Sequence, residues 1–355
     1  MFLSEGIDVV SLFDGMSCGR IALARSGIGV KNYYASEIDK HAIIVAKANW
    51  PQTQHMGDVT KWREWPIDWS KVKLILAGSP CQGFSSAGKQ GGTKAVLDGV
   101  EYVVADRETY ISLRDQGAKF LSQSYLFWEF VLCLDHAMSC NPDIKFLLEN
   151  VKMSKNNLNM ITDALGAEPV FINSELVSAQ NRQRYYWANW EFKAPSDHFI
   201  FLDSVIESGV VDKDKSFSLD ANYFKGGNLK QYFEKSRRQL AFELSKINPR
   251  GIDVSINEDG IRPHKGDSRK SGISELGRLI FRDAKKTYTL TTSHMPKIID
   301  ELGFRKLTPV ECERLQTVPD SYTNHVSNTQ RYKMLGNGWT VDVIKHILDS
   351  SGLHA

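Results

Sequence analysis

The stretch Leu74-Ile-Leu-Ala-Gly-Ser-Pro-Cys-Gln-Gly-Phe-Ser-Ser86 decides the reading of this chain. Leu74 to Ala77 is an apolar run of the kind carried by a parallel strand covered on both faces, and it leads into a turn of small residues holding Cys81 between Pro80 and Gln82. In an open α/β sheet ligands bind beyond the carboxyl ends of the strands, so a thiol in that turn faces the crevice. Cys81 is therefore the first candidate nucleophile, with backbone N–H groups and ligand access close by. A buried structural cysteine is the plainer alternative, and Pro80 and Gln82 beside it argue against a core position.

Bulk composition bounds the rest. The 355 residues, 42% hydrophobic, suffice for one large domain or two ordinary ones. A formal charge of +2 does not by itself demand a nucleic-acid partner, so any basic surface must come from local clustering. The five cysteines, at 18, 81, 133, 140 and 312, are odd in number and form no C-x-x-C pair, which argues against a disulfide framework and a structural zinc site. No basic leader with a long apolar run and no membrane-length apolar stretch is present, so a monomer in a reducing, cytoplasmic setting is expected, bacterial or in a phage-infected host.

In chain order, Ile7 to Phe13 reads as a buried strand, followed by the turn Asp14-Gly15-Met16-Ser17-Cys18-Gly19 and a helix from Arg20 to Arg25. Small residues let backbone approach a ligand, and the helix start offers N–H groups to an anionic end. The next strand ends at Glu37, the position at which nucleotide-binding folds place an acid for ribose hydroxyls. Asp39 is the expected N-cap of a helix to Asn49, and Asp58 follows a third short strand, where it is an adenine-amino acceptor or a plain turn aspartate. Trp62, Trp65 and Trp69 are expected to cover the sheet edge. The glycine-bearing interval from Ala87 to Ser122 reads as a long irregular lid, then come an apolar helix from Leu126 and a strand Lys145–Val151 that ends in Glu149 and Asn150. If residues 180–184 are extended, Gln180, Arg182 and Arg184 share one face, and both guanidiniums converge beside Cys81 and Glu149.

From Pro195 the βα alternation stops. Eight bases between Arg262 and Lys286, including Arg269, Lys270, Arg278 and Arg282, face only three acids there, which suits phosphate contacts along a duplex, with Thr291 among the nearby hydroxyls. Three divisions follow: a catalytic domain at 1–194, a smaller irregular domain at 195–300 and a returning segment at 301–355. In the last, Thr308 and Pro309 start a helix, and Gly336-Asn337-Gly338-Trp339 is placed to border a cofactor pocket.

The residues Phe13-Asp-Gly-Met-Ser-Cys-Gly19, Glu37, Asp58, Pro80-Cys-Gln82, Glu149-Asn-Val151, Gln180-x-Arg182-x-Arg184 and Gly336-Asn337 together resemble the DNA (cytosine-5) methyltransferases, in that family's order and over nearly all the chain outside the middle domain. The glycine turn and the Gly336 to Val341 ending look closest to phage-encoded members and the animal de novo branch. The resemblance implies a Rossmann-like S-adenosylmethionine (SAM)-dependent methyltransferase sheet with a smaller, irregular target-recognition domain. It implies SAM as cofactor, with Phe13 over the adenine, Glu37 on the ribose and Asp58 on the adenine amino group. Asp14, Gly15, Ser17, Ile38, Val59, Pro80, Asn337 and Trp339 complete that set. It further implies Cys81 as the thiolate that adds to C6 of a flipped cytosine, Glu149 on N3 and the amino group, Arg184 on O2, Arg182 and Ser85 on the flanking phosphate, Gln82 on the nucleic acid, and Asn150 holding the loop around Pro80. Double-stranded DNA is the expected partner. The rivals are a tRNA cytosine methyltransferase, a catalytically silent regulatory protein of the same fold, and a dinucleotide dehydrogenase that would leave Cys81 without purpose.

Overall fold

A computed structural model describes residues 6–80, 83, 94–227, 229–243, 254–257, 260–263 and 303–354. The chain runs β1 (Ile7–Leu12), α1 (Cys18–Arg25), β2 (Val30–Ser36), α2 (Lys40–Asn49), β3 (Gln54–His55), β4 (Val72–Ala77), β5 (Lys94–Leu97), β6 (Val100–Val103), α3 (Arg107–Asp115), β7 (Lys119–Phe120), α4 (Leu126–Cys140), β8 (Lys145–Val151), α5 (Lys155–Leu165), β9 (Val170–Asn173) and β10 (Gln183–Ala188). Beyond these lie α6 (Leu229–Lys235), β11 (Leu240–Glu243), β12 (Val254–Asn257), β13 (Gly260–Pro263), β14 (Gly303–Lys306), α7 (Pro309–Leu315), α8 (Asn328–Asn337) and α9 (Val341–Asp349).

The unbroken apolar runs of β1 and β4 place them side by side at the centre of a seven-stranded sheet ordered β3-β2-β1-β4-β8-β10-β9. The first five strands of that order are parallel, and β10 is antiparallel to both neighbours. The chain winds outward from β1 through β2 and β3 and then returns to β4 on the other side, so the switch point lies between β1 and β4. That is where an open α/β sheet opens a crevice. Two apolar clusters cover the faces. One joins Val9, Leu74 and Leu76 to α1, Leu335 and the apolar side of α9, while the other joins Val10, Leu12 and Ile75 to α4 and Ile161.

Trp62, Trp65 and Trp69 are all buried in the second cluster, and the Trp62 ring lies 6.3 Å from that of Trp69. One expectation needs correction here. The interval after Ser86 is not an irregular lid throughout. Its described part, 94–122, folds as a three-stranded antiparallel sheet ordered β6-β5-β7 with α3 packed beside it. The carboxylate of Glu129 on α4 fastens this insertion. It is buried and accepts hydrogen bonds from Trp62 Nε1 (2.9 Å), Tyr110 Oη (2.6 Å), Arg63 Nη1 (3.2 Å) and Arg114 Nη1 (3.3 Å).

Past Pro195 the regular alternation ends, but Leu202, Leu219, Tyr223 and Ala241 still pack into the first cluster. Tyr232, Leu240 and Phe242 form a small apolar cluster of their own. The returning segment enters through β14, antiparallel to β11. Thr308 then caps α7 in a reciprocal box with Glu311, with Pro309 at the start of the helix. Among the described residues no helix is long and apolar enough to cross a membrane, and no group of three or more His, Cys, Asp or Glu could hold a metal.

Replacing Glu129 by leucine leaves a buried phenol and an indole N–H without their acceptor, and takes a carboxylate partner from Arg63 and from Arg114, which keeps its pair with Asp115. An unfolding free energy lower by about 3 kcal/mol is expected in urea denaturation. Arg107→Ala, which breaks only exposed pairs, to Asp135 and Glu108, should change it by less than about 1 kcal/mol. Equal losses in the two variants would refute the role given to Glu129.

Candidate active site

The strand-to-helix turn after β1 adopts backbone that most side chains avoid. Phe13 (φ 58°), Gly15 (φ 58°) and Ser17 (φ 65°) are all left-handed, and two of them are not glycine. Neighbouring groups hold the turn in place. Asp14 N–H donates to Ser36 O (3.0 Å), Ser17 N–H donates to Asp14 O (3.0 Å), and Gly15 N–H donates to Glu37 Oε2 (2.8 Å). Glu37 Oε1 also accepts from the N–H groups of Ile38 (2.8 Å) and Asp39 (2.7 Å). A carboxylate offers about four acceptor sites, so three donors leave one for a ligand.

Asp14 is buried at the bottom of this turn. Burial pushes its carboxyl up to about 6, against the opposing hydrogen bonds from Ser17 Oγ and from Tyr33 Oη, the latter at 2.7 Å. Cys18 beside it is also buried, and burial pushes its thiol up to about 12 although the Trp339 backbone N–H donates to it. Burial likewise raises the thiols of Cys133 and Cys312. None of these three is an activated nucleophile.

Cys81 and Gln82 lie outside the described residues, but the chain on both sides of them is anchored. Asn150 Nδ2 donates to Ser79 Oγ (3.1 Å), and Gly83 N–H donates to Ser124 Oγ (2.8 Å). Asn150 thus holds the loop around Pro80 as expected, whereas nothing in the sequence pointed to Ser124.

The antiparallel register of β8 and β10 accounts for the next pair. Tyr186 stands opposite Glu149, so period two puts Arg184 on the same face as a diagonal neighbour. Arg184 Nε lies 2.8 Å from Glu149 Oε1, with both side chains largely buried. Arg182 behaves differently. The residue is 3% exposed, and its guanidinium donates to the carbonyls of Leu219 (3.1 Å), Gly336 (3.2 Å) and Gly338 (2.9 Å). Gln180 is turned inward as well, donating to Leu315 O (3.1 Å). The shared face expected for residues 180–184 therefore does not extend to one cluster of ligand-facing side chains, because regular strand begins only at Gln183.

A cavity of about 340 Å³ gathers most of the sequence-derived candidates on one wall system. Phe13, Asp14, Gly15, Glu37 and Ile38 line one end, Pro80, Glu149, Arg182 and Arg184 the other, and Asn337 and Trp339 the side between. Ser17 stands behind the wall, bracing Asp14. Asp58 and Val59 do not reach it: Asp58 caps a short 3-10 turn by accepting from Thr60 N–H (2.9 Å), and Val59 is buried in the second core cluster. Gln123, Leu126 and Lys333 are wall residues that sequence reasoning missed. Lys333 sits one helical turn before Asn337 and pairs with Asp39 at 2.8 Å, so the i, i+4 spacing was a usable signal. Ser85, Arg269, Lys270, Arg278, Arg282 and Thr291 lie outside the described residues, as does the side chain of Arg262.

A doubly wound sheet with a cavity at its switch point, walled by the glycine turn after β1, by Pro80 beyond β4 and by Glu149 on β8, fits the α/β methyltransferase class. The chain belongs to the C-5 cytosine-specific DNA methylases, whose family profile matches residues 7–100 and 115–352. It is an enzyme of SAM-dependent cytosine C5 methylation. Among similar proteins, the type II methyltransferase M.HpaII of Haemophilus parainfluenzae is 28% identical over 370 residues, covering 99% of this chain and 91% of the relative. M.HhaI of Haemophilus parahaemolyticus, also a type II methyltransferase, is 24% identical, covering 98% and 94%. The orphan methyltransferase M.SPRI of Bacillus phage SPR is 25% identical, covering 96% of each. In fold the chain is similar to a mutant of Spodoptera frugiperda DNMT2, with a TM-score of 0.58 at 18% identity over 98% of this chain and 99% of that one.

Asp14 gives this site a measurable signature. Its folded-state value lies above the ordinary 3.8, so the unfolded chain loses the proton first as pH rises. Stability should fall by about 3 kcal/mol between roughly pH 4 and pH 6 and stay at the lower level above. Asp14→Asn removes that dependence, and denaturation at pH 4, 5, 6 and 7 should show the variant gaining on the parent across this window. A constant difference across it would refute the assignment.

Proposed function

We propose that the protein transfers a methyl group to C5 of a cytosine turned out of double-stranded DNA, through a covalent bond between Cys81 and C6. The observation that carries this reading is the convergence of the Glu149–Arg184 pair and of Pro80, the residue before Cys81, on a cavity that the Gly15–Glu37 turn also lines. The wall suits SAM. Asp14 and Glu37 supply negative charge for a ligand carrying sulfonium and ammonium groups, while Asp39 is paired with Lys333, and a cavity of about 340 Å³ falls within the usual range for small ligands. Phe13 and the exposed Ile38 would hold the adenine, and Glu37 one ribose hydroxyl at its remaining acceptor site. Asn337 and Trp339 would close the side. When bound, SAM supplies an electrophilic methyl group.

The residues of this chain do the rest. The Cys81 thiolate adds to C6 and drives electron density toward C5, the carbon that is methylated. Glu149 holds N3 and the exocyclic amino group while Arg184, already at hydrogen-bonding distance from it, steadies O2. Loss of the C5 proton to a base then expels the thiolate and restores the ring. A stacked duplex denies this geometry, so the base must be flipped into the cavity.

DNA is favoured over tRNA by the description of the family, by the type II and phage relatives, and by the bases clustered between Arg262 and Lys286. A further basic stretch belongs to the cavity's surroundings. Lys235 and Arg237 are exposed, and Arg237 pairs at 2.6 Å with Asp220, whose main chain packs against the cavity residue Gly336.

Cys81→Ala should abolish transfer of label from SAM to duplex DNA, a loss of at least about a thousandfold, while calorimetry shows cofactor binding within about twofold of the parent. Residual transfer near the parent level would end the covalent mechanism. Offering plasmid DNA and tRNA side by side, with bisulfite sequencing of both, tests the substrate: methylation confined to tRNA would overturn the DNA assignment.

A further inference from the structure

We propose that Arg182 is a positioning residue that clamps the cofactor wall to the base-holding strand, and is not a ligand of the nucleic-acid phosphate. The proposal rests on the function proposed above and concerns the same cavity. Arg182 stands two residues before Arg184, which pairs with Glu149, so whatever fixes its side chain ties that end of the cavity to a second structure. Its anchor is specific. Nη2 donates to the carbonyls of Gly336 and Gly338, and Nη1 donates to the carbonyl of Leu219 and to Ser218 Oγ (3.4 Å). The Arg182 backbone N–H donates to Asn173 Oδ1 at 2.9 Å, which holds the approach to β10.

The turn thus gripped is the part of the returning segment that walls the cavity. Gln316 Nε2 also donates to Gly338 O (3.2 Å) and to Leu335 O (2.7 Å), while its Oε1 accepts from Thr340 Oγ1 (2.9 Å) and Gln180 Nε2 (3.2 Å). The Gly338 carbonyl therefore receives two side-chain donors from separate segments. The opposite side of the turn has no slack: a Cβ on Gly336 would lie 2.3 Å from the Asp220 carbonyl carbon. A guanidinium suits the clamp because its planar fork holds its donors in a fixed geometry, with Nη1 and Nη2 serving acceptors on two different segments, whereas a lysine ammonium is a compact charge on a flexible stem. A buried cation must also find its acceptors inside the fold, and three carbonyls supply them here. A phosphate ligand would have to be open to solvent at the cavity mouth, and 3% exposure is the opposite.

The two roles separate in Arg182→Lys, which keeps the charge and loses the fork. If Arg182 clamps the wall, this variant should bind S-adenosylhomocysteine at least about tenfold more weakly by calorimetry, a loss of about 1.4 kcal/mol. The slope of duplex-DNA affinity against salt should stay as in the parent. If Arg182 instead holds a phosphate, Arg182→Lys should keep cofactor affinity, and Arg182→Gln should lower the salt slope by about one. That pattern overturns the proposal. Gln316→Ala removes the second donor on Gly338 from a residue with no route to nucleic acid, and it carries the test if Arg182→Lys does not fold. It should weaken cofactor binding likewise, and unchanged affinity in the folded Gln316→Ala protein would overturn the clamp. Both readouts are equilibrium binding, so loss of methyl transfer alone decides nothing about it. Failure of the parent protein to bind S-adenosylhomocysteine would instead sink the functional reading underneath.

Discussion

The carboxyl edge of the sheet depends on one close approach: the indole of Trp339 lies against a residue that has no side chain. A Cβ on Gly78 would sit 2.8 Å from Trp339 Nε1, and one on Gly19 would meet Leu76 Cδ1 at 2.6 Å and the Trp339 ring at 3.5 Å. Gly78 follows β4 and Gly19 opens α1, so the indole fills the crevice between the two central connections of the sheet. The end of the chain thereby becomes a wall of a cavity whose other walls come from its beginning. Any larger residue at Gly78 would push the returning segment out of the switch point, and the glycine turn, the cysteine loop and the Gly336–Trp339 turn would no longer share one space.

Charge is distributed along that cavity in a way that matches its two ends. At the end formed by Phe13 to Asp39 the wall is acidic, with Asp14 raised by burial and Glu37 holding three backbone donors. At the other end acid and base are paired, Glu149 with Arg184, so that end offers both donors and acceptors to a planar ring. The buried polar side chains in and behind the walls, Arg182, Gln180 and Gln316, reach mostly main-chain carbonyls. Desolvating so many polar groups is tolerable because each finds an acceptor, and the reward is a fixed geometry between segments far apart in sequence.

How much of this was legible in the sequence depended on whether the signal was local. The parallel strands were readable because strands buried on both faces are apolar runs with sharp ends, as at Leu12, Ala77 and Val151. The Glu149–Arg184 contact was readable because period two fixes a face once a strand is granted. Arg182 was not readable by the same rule, since the acceptors that capture it are backbone atoms of residues 219, 336 and 338, which have no signature in the side-chain code. Asp58 carried two meanings, cap and ligand, that one residue type cannot separate. The insertion at 94–122 was misread because β6, Val-Glu-Tyr-Val, is short and exposed throughout, and Glu129, which secures the insertion, looks like an ordinary helix acid until Trp62 and Tyr110 are seen to meet it.

That insertion bears on the cysteine loop more than a free lid would. Ser124 lies in the short turn between β7 and α4, and α4 is held to the insertion by the buried Glu129 network. Its hydroxyl receives the Gly83 N–H, while Asn150 at the end of β8 reaches Ser79. The chain is thereby anchored at Ser79 to the end of the central strand β8 and at Gly83 to the turn that precedes α4.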